Sequence, residues 1–517
     1  MARLPHVAII ELGSQYTLLI ERTVRELGVR SVILDPSRAA EWFKKNPVKA
    51  VILSGGAASV YEDGAPQPPE EVLSLQREDG RPVAVLGICY GMQWLAHRLG
   101  GEVKAILGQR EYGGALIHLT VRGLTEMATG FFSHTPQHQS VWMSHGDSVV
   151  SLPDGFSALA HSDAGTIVAM EKNHVWGVQF HPEVTHTPQG KRILANFLRL
   201  AECENDWTPA SVVASIRDDV CAQLGDERAI FGFSGGVDST TVAAILAPVL
   251  KERLLAVTID GGNLREGELE EIHTHAKSAG VNLRVIDARE DFNALMRNVT
   301  DAEEKRHRFK LVYSGILLRA AEDFGATTVL QGTLAPDRIE SGATGGAVIK
   351  SHHNVGLTIG TLRQLHPIDN LFKYEVRALA QAIGLPKSVW NRQPFPGPGL
   401  FLRVVGAPAT LEKLDVVRFA DARVREILTR HGIYDTLSQL VVAYIGVNTV
   451  GVKGDARAYG GAIVVRAVET VDFMTARGVH FSDEVEDKIS SVLTKHPDIV
   501  RVWYDSTDKP PATTEME

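Results

Sequence analysis

Residues 229–246 read Ala229-Ile-Phe-Gly-Phe-Ser-Gly-Gly-Val-Asp-Ser-Thr-Thr-Val-Ala-Ala-Ile-Leu246, and this stretch sets the fold of the middle of the chain. An apolar run up to Phe233 predicts a buried strand, and the apolar run from Val242 predicts a helix. The residues between them are small or polar and include two glycines. The pattern is that of a strand joined to a helix N-terminus through a glycine turn.

A turn of this kind can hold a phosphate group, because free backbone N–H groups and the helix dipole both favour an anion. The predicted phosphate-binding residues are Ser234, Gly235, Gly236, Val237, Asp238 and Ser239. The Walker pattern is absent, since no lysine followed by serine or threonine comes after the last glycine. The alternative is an ordinary strand–helix turn with a serine cap.

Bulk properties narrow the class of protein. The length of 517 residues suggests roughly three domains, and the 44% hydrophobic content is that of a globular protein. The net charge of −9 argues against broad nucleic-acid binding. The three cysteines, Cys89, Cys203 and Cys221, are too scattered for a disulfide framework, which favours a reducing, cytoplasmic compartment. We expect no signal peptide and no membrane span.

Short apolar runs alternate with helix-like segments over the first two hundred residues, which predicts an α/β domain with a mostly parallel sheet. Residues 83–93 read Val-Ala-Val-Leu-Gly-Ile-Cys-Tyr-Gly-Met-Gln, a strand, a turn and a helix start. Glycines two residues before and after Cys89 predict a sharp turn that pushes its side chain out of the path of the chain, as in a nucleophile elbow. The adjoining helix N-terminus favours the thiolate. The alternative is a buried structural cysteine.

A cysteine nucleophile needs a base, and residues 175–184, Val-Trp-Gly-Val-Gln-Phe-His-Pro-Glu-Val, supply a candidate. We expect His181 to end a strand, with Pro182 holding it out of the helical region. Glu183 then points to the same side as His181 and can orient the imidazole. By itself His-Pro-Glu is typical of a surface turn, so the prediction depends on its pairing with Cys89.

These two segments resemble the class I glutamine amidotransferase family. The resemblance implies that Cys89 attacks the glutamine amide and that Gly55, Gly56 and Tyr90 lie at the oxyanion, with backbone N–H donors. It also implies that Gln93, His145 and Asp147 hold glutamine. The first two hundred residues differ from the family at Glu11, where aspartate is usual, and at Ala57, where proline is common.

The middle segment again alternates strands and helices, which predicts a second α/β domain. Its phosphate turn resembles the pyrophosphatase loop of adenylating enzymes, which split ATP between the α- and β-phosphates. That resemblance implies that the loop holds pyrophosphate and that Asp238 holds Mg²⁺. The alternative for Asp238 is a helix-capping residue, and the two roles are compatible. Lys350, in a glycine-rich stretch that we expect to form a lid, and Lys373 are the further candidate phosphate ligands.

The last 125 residues predict a small α+β domain after a junction dense in proline and glycine, residues 390–400. Segments here, including Lys509-Pro-Pro-Ala-Thr-Thr-Glu515, resemble the glutamine-hydrolysing GMP synthetase family, and the resemblance covers essentially the whole chain. It implies that this domain forms a homodimer and that the C-terminal tail helps to hold the nucleotide, although composition alone predicts a frayed tail. Gln393 and Met516 depart from the family pattern, where histidine and tryptophan are usual. The expected XMP-binding residues are Arg306, Lys509, Thr514 and Glu515.

The sequence therefore predicts two parallel-sheet α/β domains, residues 1–203 and 204–392, followed by a small α+β domain, residues 393–517. The resemblance to the GMP synthetase family implies ATP-dependent amination of XMP to GMP, with ammonia from glutamine, an adenylated XMP intermediate, and AMP and pyrophosphate as products. We expect glutamine hydrolysis to stay weak until XMP and ATP are bound. Two alternative functions remain. The first is an enzyme with the same two catalytic domains that aminates another acceptor, such as the acid precursor of NAD. The second is a regulatory nucleotide-binding protein that has lost turnover.

Overall fold

The computed structural model of the chain describes residues 4–105, 111–125, 129–335, 359–453, 455–470 and 475–517. Lys350 and the glycine-rich stretch expected to be a lid lie outside the described residues. The chain divides into two compact units, Met1–Ser215 and Ile216–Glu517. In the described ranges, no helix is both long enough and apolar enough to cross a bilayer.

The first unit is built on a mixed sheet of eleven strands in the described residues. Its parallel part has the spatial order Ser31–Leu34, Val7–Ile10, Ala50–Leu53, Ala84–Ile88 and Val175–Val178. The sheet continues through antiparallel strands, Ile167–Lys172, Ser157–Ser162, Glu111–Leu119 and His138–His145, and Asp147–Ser151 pairs with Ile167–Lys172 and with Glu102–Ala105. The α/β class is confirmed, and the antiparallel extension is a feature that the sequence patterns did not predict.

Helices cover both faces of the parallel part, as they must where strands are buried on both sides. Along Val7–Ile10, alternate residues enter two separate cores: Val7 and Ile9 belong to one, and Ala8 and Ile10 to the other. The helices are Thr17–Glu26, Pro36–Phe43, Tyr90–Arg98, Val121–Thr125 and Gly190–Leu200, with a 3-10 turn at Glu70–Leu73 and a further helix, Pro209–Leu224, at the division between the units.

The second unit opens on a five-stranded, wholly parallel sheet. Its spatial order is Asn282–Asp287, Leu254–Asp260, Ala229–Gly232, Thr328–Leu330 and Arg363–Leu365. Ala229–Gly232, the first strand of this sheet in sequence, is thus central, and the later strands are added on both sides of it. Ligands of such sheets bind beyond the carboxyl end of the strand at this switch point, where Ser234 lies. The helices are Val237–Leu250, Glu268–Ala279, Arg289–Met296, Ala302–Phe324, Lys373–Ala382 and Lys387–Trp390, with a 3-10 turn at Lys251–Arg253.

A second sheet completes this unit. It contains Val404–Val405, Gln439–Lys453, Ala456–Glu469, Arg477–Gly478 and Ile499–Asp505, with the helices Leu411–Arg430 and Asp483–Leu493 and the 3-10 turns Gly399–Arg403 and Tyr434–Thr436. The two long strands form an antiparallel hairpin. They are longer than the strands that apolar runs predict, residues 439–443 and 462–466, because apolar residues mark only the buried half of the hairpin. One hydrophobic core joins both sheets of the unit and includes Ile230 and Ile463. Neither the division at Ser215 nor this shared core marks a boundary at residue 203 or 392, so the predicted domain boundaries stay predictions.

Candidate active sites

Cys89 lies in the turn between the strand Ala84–Ile88 and the helix Tyr90–Arg98, and its backbone adopts a φ of 52°. The close packing around the turn requires glycine on both sides. A Cβ on Gly87 would lie 2.5 Å from the carbonyl of Gly91, and one on Gly91 would lie 2.5 Å from the backbone oxygen of Leu53. The turn is strained and tightly packed, as expected of a nucleophile elbow.

His181 and Glu183 are brought to this cysteine. The imidazole Nδ1 lies 2.7 Å from Glu183 Oε1, and both side chains are buried. Burial alone would lower the pKa of His181, but hydrogen bonds with Cys89 and Glu183 outweigh it and raise the pKa to about 10. The imidazole therefore keeps a proton at neutral pH, as it does beside a thiolate. The prediction that His181 ends a strand is wrong: the strand ends at Val178, and a short turn carries the histidine to the site.

The predicted oxyanion donors lie next to Cys89. Tyr90 is the first residue of its helix, so its N–H has no acceptor within that helix. A Cβ on Gly56 would lie 2.3 Å from the carbonyl oxygen of Leu12, and one on Gly55 would lie 3.0 Å from the His181 ring. The backbone can approach this closely only without side chains at both positions, which explains the glycine pair.

A cavity of about 550 Å³ opens in front of Cys89, and the predicted glutamine residues Gln93, His145 and Asp147 line it. The Gln93 amide donates to the Asp147 carbonyl oxygen at 2.8 Å. The His145 Nδ1 lies 3.0 Å from the same oxygen. Gln93 and His145 thus fix the backbone at Asp147, so in this structure they shape the wall of the cavity.

Two further residues of this site were not predicted as site residues. Tyr16 contacts the His181 ring edge-on, with 5.0 Å between the ring centroids. Glu111 Oε2 lies 3.3 Å from His145 Nε2, and hydrogen bonding to His145 lowers the pKa of Glu111. Tyr16 ends the segment Gly13-Ser-Gln-Tyr16, which also resembles the class I glutamine amidotransferase family and could have indicated it. Glu111 carries no such signal, because only the folded sheet brings it to His145.

The predicted phosphate loop lies in the second unit, between the central strand and the helix Val237–Leu250. Gly235 has a φ of 67°, which favours glycine. The Gly236 N–H donates to Ser234 Oγ, and this oxygen is also 3.3 Å from Ser239 Oγ. The loop therefore brings two hydroxyl groups and the backbone N–H groups of a helix start to one place, as the sequence predicts.

Asp238 and Lys373 meet beside this loop, with 2.5 Å between Lys373 Nζ and Asp238 Oδ2. The other carboxylate oxygen, Oδ1, is buried and has no hydrogen-bond partner in the described part of the chain. A buried, unpartnered carboxylate oxygen is costly unless a ligand completes it. Mg²⁺ is bound in proteins through one or two carboxylates together with substrate phosphates, so the residues present fit this ion.

The predicted XMP residues differ in their surroundings. Glu515 pairs with the buried Arg403, at 3.0 Å from both Nε and Nη2, and the Thr514 carbonyl oxygen accepts from Arg466 at 3.3 Å. Arg306 pairs with Glu303 at 2.5 Å. The backbone of Lys509 pairs with Ala476.

The end of the chain has a further contact that was not predicted. Lys305 is fully buried, and its Nζ lies 3.1 Å from Glu517 Oε2 and also donates to the Val404 carbonyl oxygen. The Gly406 N–H donates to Glu517 Oε1 at 2.9 Å. The tail is thus held against the unit by charged groups, and the frayed tail expected from composition is wrong.

Three family models match consecutive parts of the chain. Glutamine amidotransferase class-I matches residues 8–201, NAD synthase matches residues 210–314, and the GMP synthase C terminal domain matches residues 426–516. Together with the two sites, these matches define the class: a glutamine amidotransferase joined to an ATP-using synthetase.

Full-length relatives identify the family within this class. Proteins named GMP synthase [glutamine-hydrolyzing] from Thermobifida fusca and Thermus thermophilus are 42% and 43% identical to the chain over 529 and 518 residues. Each alignment covers 99% of this chain, and they cover 98% and 100% of the two relatives. The chain belongs to the glutamine-hydrolysing GMP synthase family. The predicted family, fold class and glutamine-hydrolysing ligase function are confirmed.

Proposed function

We propose that this chain aminates XMP to GMP with ATP, using ammonia released from glutamine at Cys89. The observation that carries the proposal is the buried contact of His181 with both Cys89 and Glu183, which raises the pKa of His181 to about 10. An ATP-using unit without an ammonia source would have no need for such a pair. The phosphate loop in the second unit supplies the complementary chemistry.

In the first reaction, the Cys89 thiolate attacks the side-chain amide carbon of glutamine. The Gly56 and Tyr90 N–H groups hold the oxyanion that develops, since backbone donors are fixed before the reaction starts. His181 donates its proton to the leaving nitrogen, ammonia departs, and a thioester remains on Cys89. Water activated by His181 then releases glutamate and restores the thiol.

In the second reaction, the 2-oxo oxygen of XMP attacks the α-phosphorus of ATP, and pyrophosphate leaves. The loop Ser234–Ser239 holds the pyrophosphate through its N–H and hydroxyl groups, with Lys373 and Lys350 as cationic ligands. Ammonia then displaces AMP at the purine C2 carbon and gives GMP. This division of ATP explains a phosphate loop without the Walker lysine, which serves the γ-phosphate in other nucleotide enzymes.

Mg²⁺ bound with ATP supplies positive charge to the departing pyrophosphate, and Asp238 is the residue that would hold it. Its unpartnered Oδ1 supports this assignment. Arg306, Lys509, Thr514 and Glu515 are the proposed XMP residues, of which Glu515 is supported by its contact with the buried Arg403.

We also propose a homodimer and a cytoplasmic location. Exposed apolar side chains on the long hairpin support a dimer through the C-terminal segment; they are Val447, Val450, Val452 and Tyr459. Sedimentation of the intact protein tests it, and a monomer at micromolar concentration would contradict it. The three cysteines are free thiols, which suits a reducing compartment.

The central test measures AMP and GMP formed from XMP and ATP, with glutamine or with ammonium as the nitrogen source. We expect one AMP for each GMP with either source, and glutamate release that rises when XMP and ATP are present. Equal glutamate release with and without the nucleotides would contradict the coupling.

A second acceptor is worth testing because the NAD synthase family model matches residues 210–314. The assay replaces XMP by the carboxylic acid precursor of NAD and measures AMP release. We expect AMP release when ATP is supplied with XMP, and no AMP release when XMP is replaced by the NAD precursor. Faster AMP release with the NAD precursor than with XMP would reverse the assignment.

A further inference from the structure

Two carbonyl groups of the phosphate loop are held by side chains from outside the loop. The Ser234 carbonyl oxygen accepts from Arg392 Nη1 at 3.0 Å, and the Gly235 carbonyl oxygen lies 2.8 Å from His275 Nδ1. A carbonyl oxygen only accepts hydrogen bonds, so His275 Nδ1 carries the proton in this contact. The loop is therefore restrained at two successive peptide groups.

The direction of a carbonyl fixes the direction of the next N–H. A peptide group is planar and trans, so its C=O and N–H point in opposite directions. Holding the Ser234 carbonyl towards Arg392 aims the Gly235 N–H the other way. Holding the Gly235 carbonyl towards His275 does the same for the Gly236 N–H, which in this structure donates to Ser234 Oγ at 3.3 Å.

Glycine makes this restraint necessary. Gly235 has a φ of 67° and Gly236 follows it directly, so the loop has little steric preference for one orientation of its peptide groups. A Cβ on Gly235 would lie 2.9 Å from Ile272 and 3.1 Å from Arg392, so the helix and the arginine pack directly against the loop. Side-chain hydrogen bonds therefore supply the order that the glycine backbone lacks.

Arg392 is itself held in place. Its Nη2 pairs with Glu268 Oε1, and Glu268 Oε2 accepts the Arg265 N–H at 2.8 Å. Burial would raise the pKa of Glu268, but the charges of Arg265 and Arg392 outweigh it, so that the pKa is lowered and the carboxylate stays ionised. The planar guanidinium can reach the loop and the carboxylate together, which a lysine ammonium cannot match.

His275 is fixed from the opposite side. It lies on the helix Glu268–Ala279, is buried, and places Nε2 at 3.1 Å from Ser388 Oγ. Since Nδ1 carries the proton in the neutral ring, Nε2 accepts from the serine hydroxyl. The Ser388 contact offers a matched control, because it touches the same imidazole without touching the loop.

We propose that His275 and Arg392 are positioning residues of the phosphate loop, which aim the Gly235 and Gly236 N–H groups at the pyrophosphate that leaves ATP. The inference rests on the proposed function, in which this loop holds pyrophosphate. Neither residue reacts with substrate: each acts through a backbone carbonyl.

The test uses amide substitutions that imitate one ring nitrogen at a time. In His275→Asn the side-chain amide can replace Nδ1, so we expect ATP affinity and pyrophosphate inhibition close to wild type. His275→Gln imitates Nε2 instead and loses the loop contact. We expect it to raise the KM for ATP and the inhibition constant of magnesium pyrophosphate by roughly five- to tenfold, the usual effect of one hydrogen bond. Ser388→Ala removes a support of the ring but keeps the Nδ1 contact with the loop, so we expect a smaller rise in both constants than in His275→Gln.

Arg392→Lys provides the independent variant. We expect a rise of about tenfold in the KM for ATP, because a lysine ammonium cannot contact the Ser234 carbonyl oxygen and the Glu268 carboxylate together. All assays use the full chain with ammonium as nitrogen source, and the KM for XMP and thermal unfolding are measured alongside. Equal behaviour of His275→Asn and His275→Gln would overturn the inference, as would a Ser388→Ala defect as large as that of His275→Gln. A wild-type protein that is not inhibited by pyrophosphate would overturn the proposed role of the loop instead.

Discussion

The Cys89 site and the Ser234–Ser239 loop handle charge by different means. In the proposed reaction the charges at Cys89 belong to side chains of the protein, and His181 and Glu183 are buried against each other at 2.7 Å. At the loop the proposed ligand would carry the charge, and the protein supplies backbone N–H groups, hydroxyl groups and the Oδ1 of Asp238, which has no hydrogen-bond partner among the described residues. A nucleophile must be assembled before the substrate arrives, whereas a phosphate site can be completed by the substrate itself.

Replacing the nucleophile should separate the two sites most strongly. We expect Cys89→Ala to lower glutamine-dependent GMP formation by at least about 10³-fold, because no other group can form the thioester. Ammonium-dependent synthesis should stay within about twofold of wild type, since the second site keeps all its groups. The measurements are glutamate release and GMP formation, with Cys221→Ala as the control that keeps both. Loss of ammonium-dependent synthesis in Cys89→Ala would show that the sites are not separable.

The converse change is at Asp238. Asp238→Asn should lower ammonium-dependent synthesis by about 100-fold, because the charge that would hold the metal is removed where charge develops. Glutamate release without nucleotides should be unchanged. Asp226→Asn, an exposed aspartate close in sequence, is the control. Full synthesis in Asp238→Asn across a magnesium titration would argue that the carboxylate serves only as a helix cap.

The C-terminal tail gives an intermediate effect. Glu517→Gln weakens the charged contact to the buried Lys305. We expect a rise of about tenfold in the KM for XMP, the typical cost of a charge-assisted hydrogen bond, with little change in kcat. Glu484→Gln, on an exposed helix face, is the control. A changed kcat with an unchanged KM would place the tail outside nucleotide binding.

The smallest expected effect is a pH shift at the Cys89 site. Glu183→Gln removes one of the two groups that raise the pKa of His181, so we expect the alkaline limb of glutamate release to move to lower pH. The wild-type limb should lie near pH 10. An unchanged limb in the variant would mean that Cys89 alone holds the proton on His181.

The same raised pKa has a consequence for stability. A histidine that gains protons on folding stabilises the protein fully below its unfolded pKa of 6.5, and that contribution is lost as the pH rises through about 10. The unfolding free energy of Glu183→Gln should therefore depend less steeply on pH between these values. Thermal unfolding in a pH series measures it.

Much of the fold follows from local patterns. The sequence predicts strands at residues 31–34, 50–53 and 254–260, where apolar side chains dominate, and the structure has strands with the same bounds in its parallel sheets. The hairpin strands are longer than predicted, since their outer halves alternate exposed and partly buried residues without an apolar run. The antiparallel extension of the first sheet was not predicted for a related reason: pairing partners are decided by packing over long distances in sequence.

The sequence alone determined the two glycine turns at Cys89 and at Ser234, because glycine spacing at a strand–helix junction is a local property of the chain. Only the tertiary structure decided which distant groups support them. His145 meets Glu111, Arg392 and His275 meet the loop carbonyls, and Lys305 meets Glu517. These contacts join residues far apart in the chain. Burial strengthens their electrostatic interactions, because the dielectric constant inside the protein is lower than in water and an unpaired polar group there costs free energy.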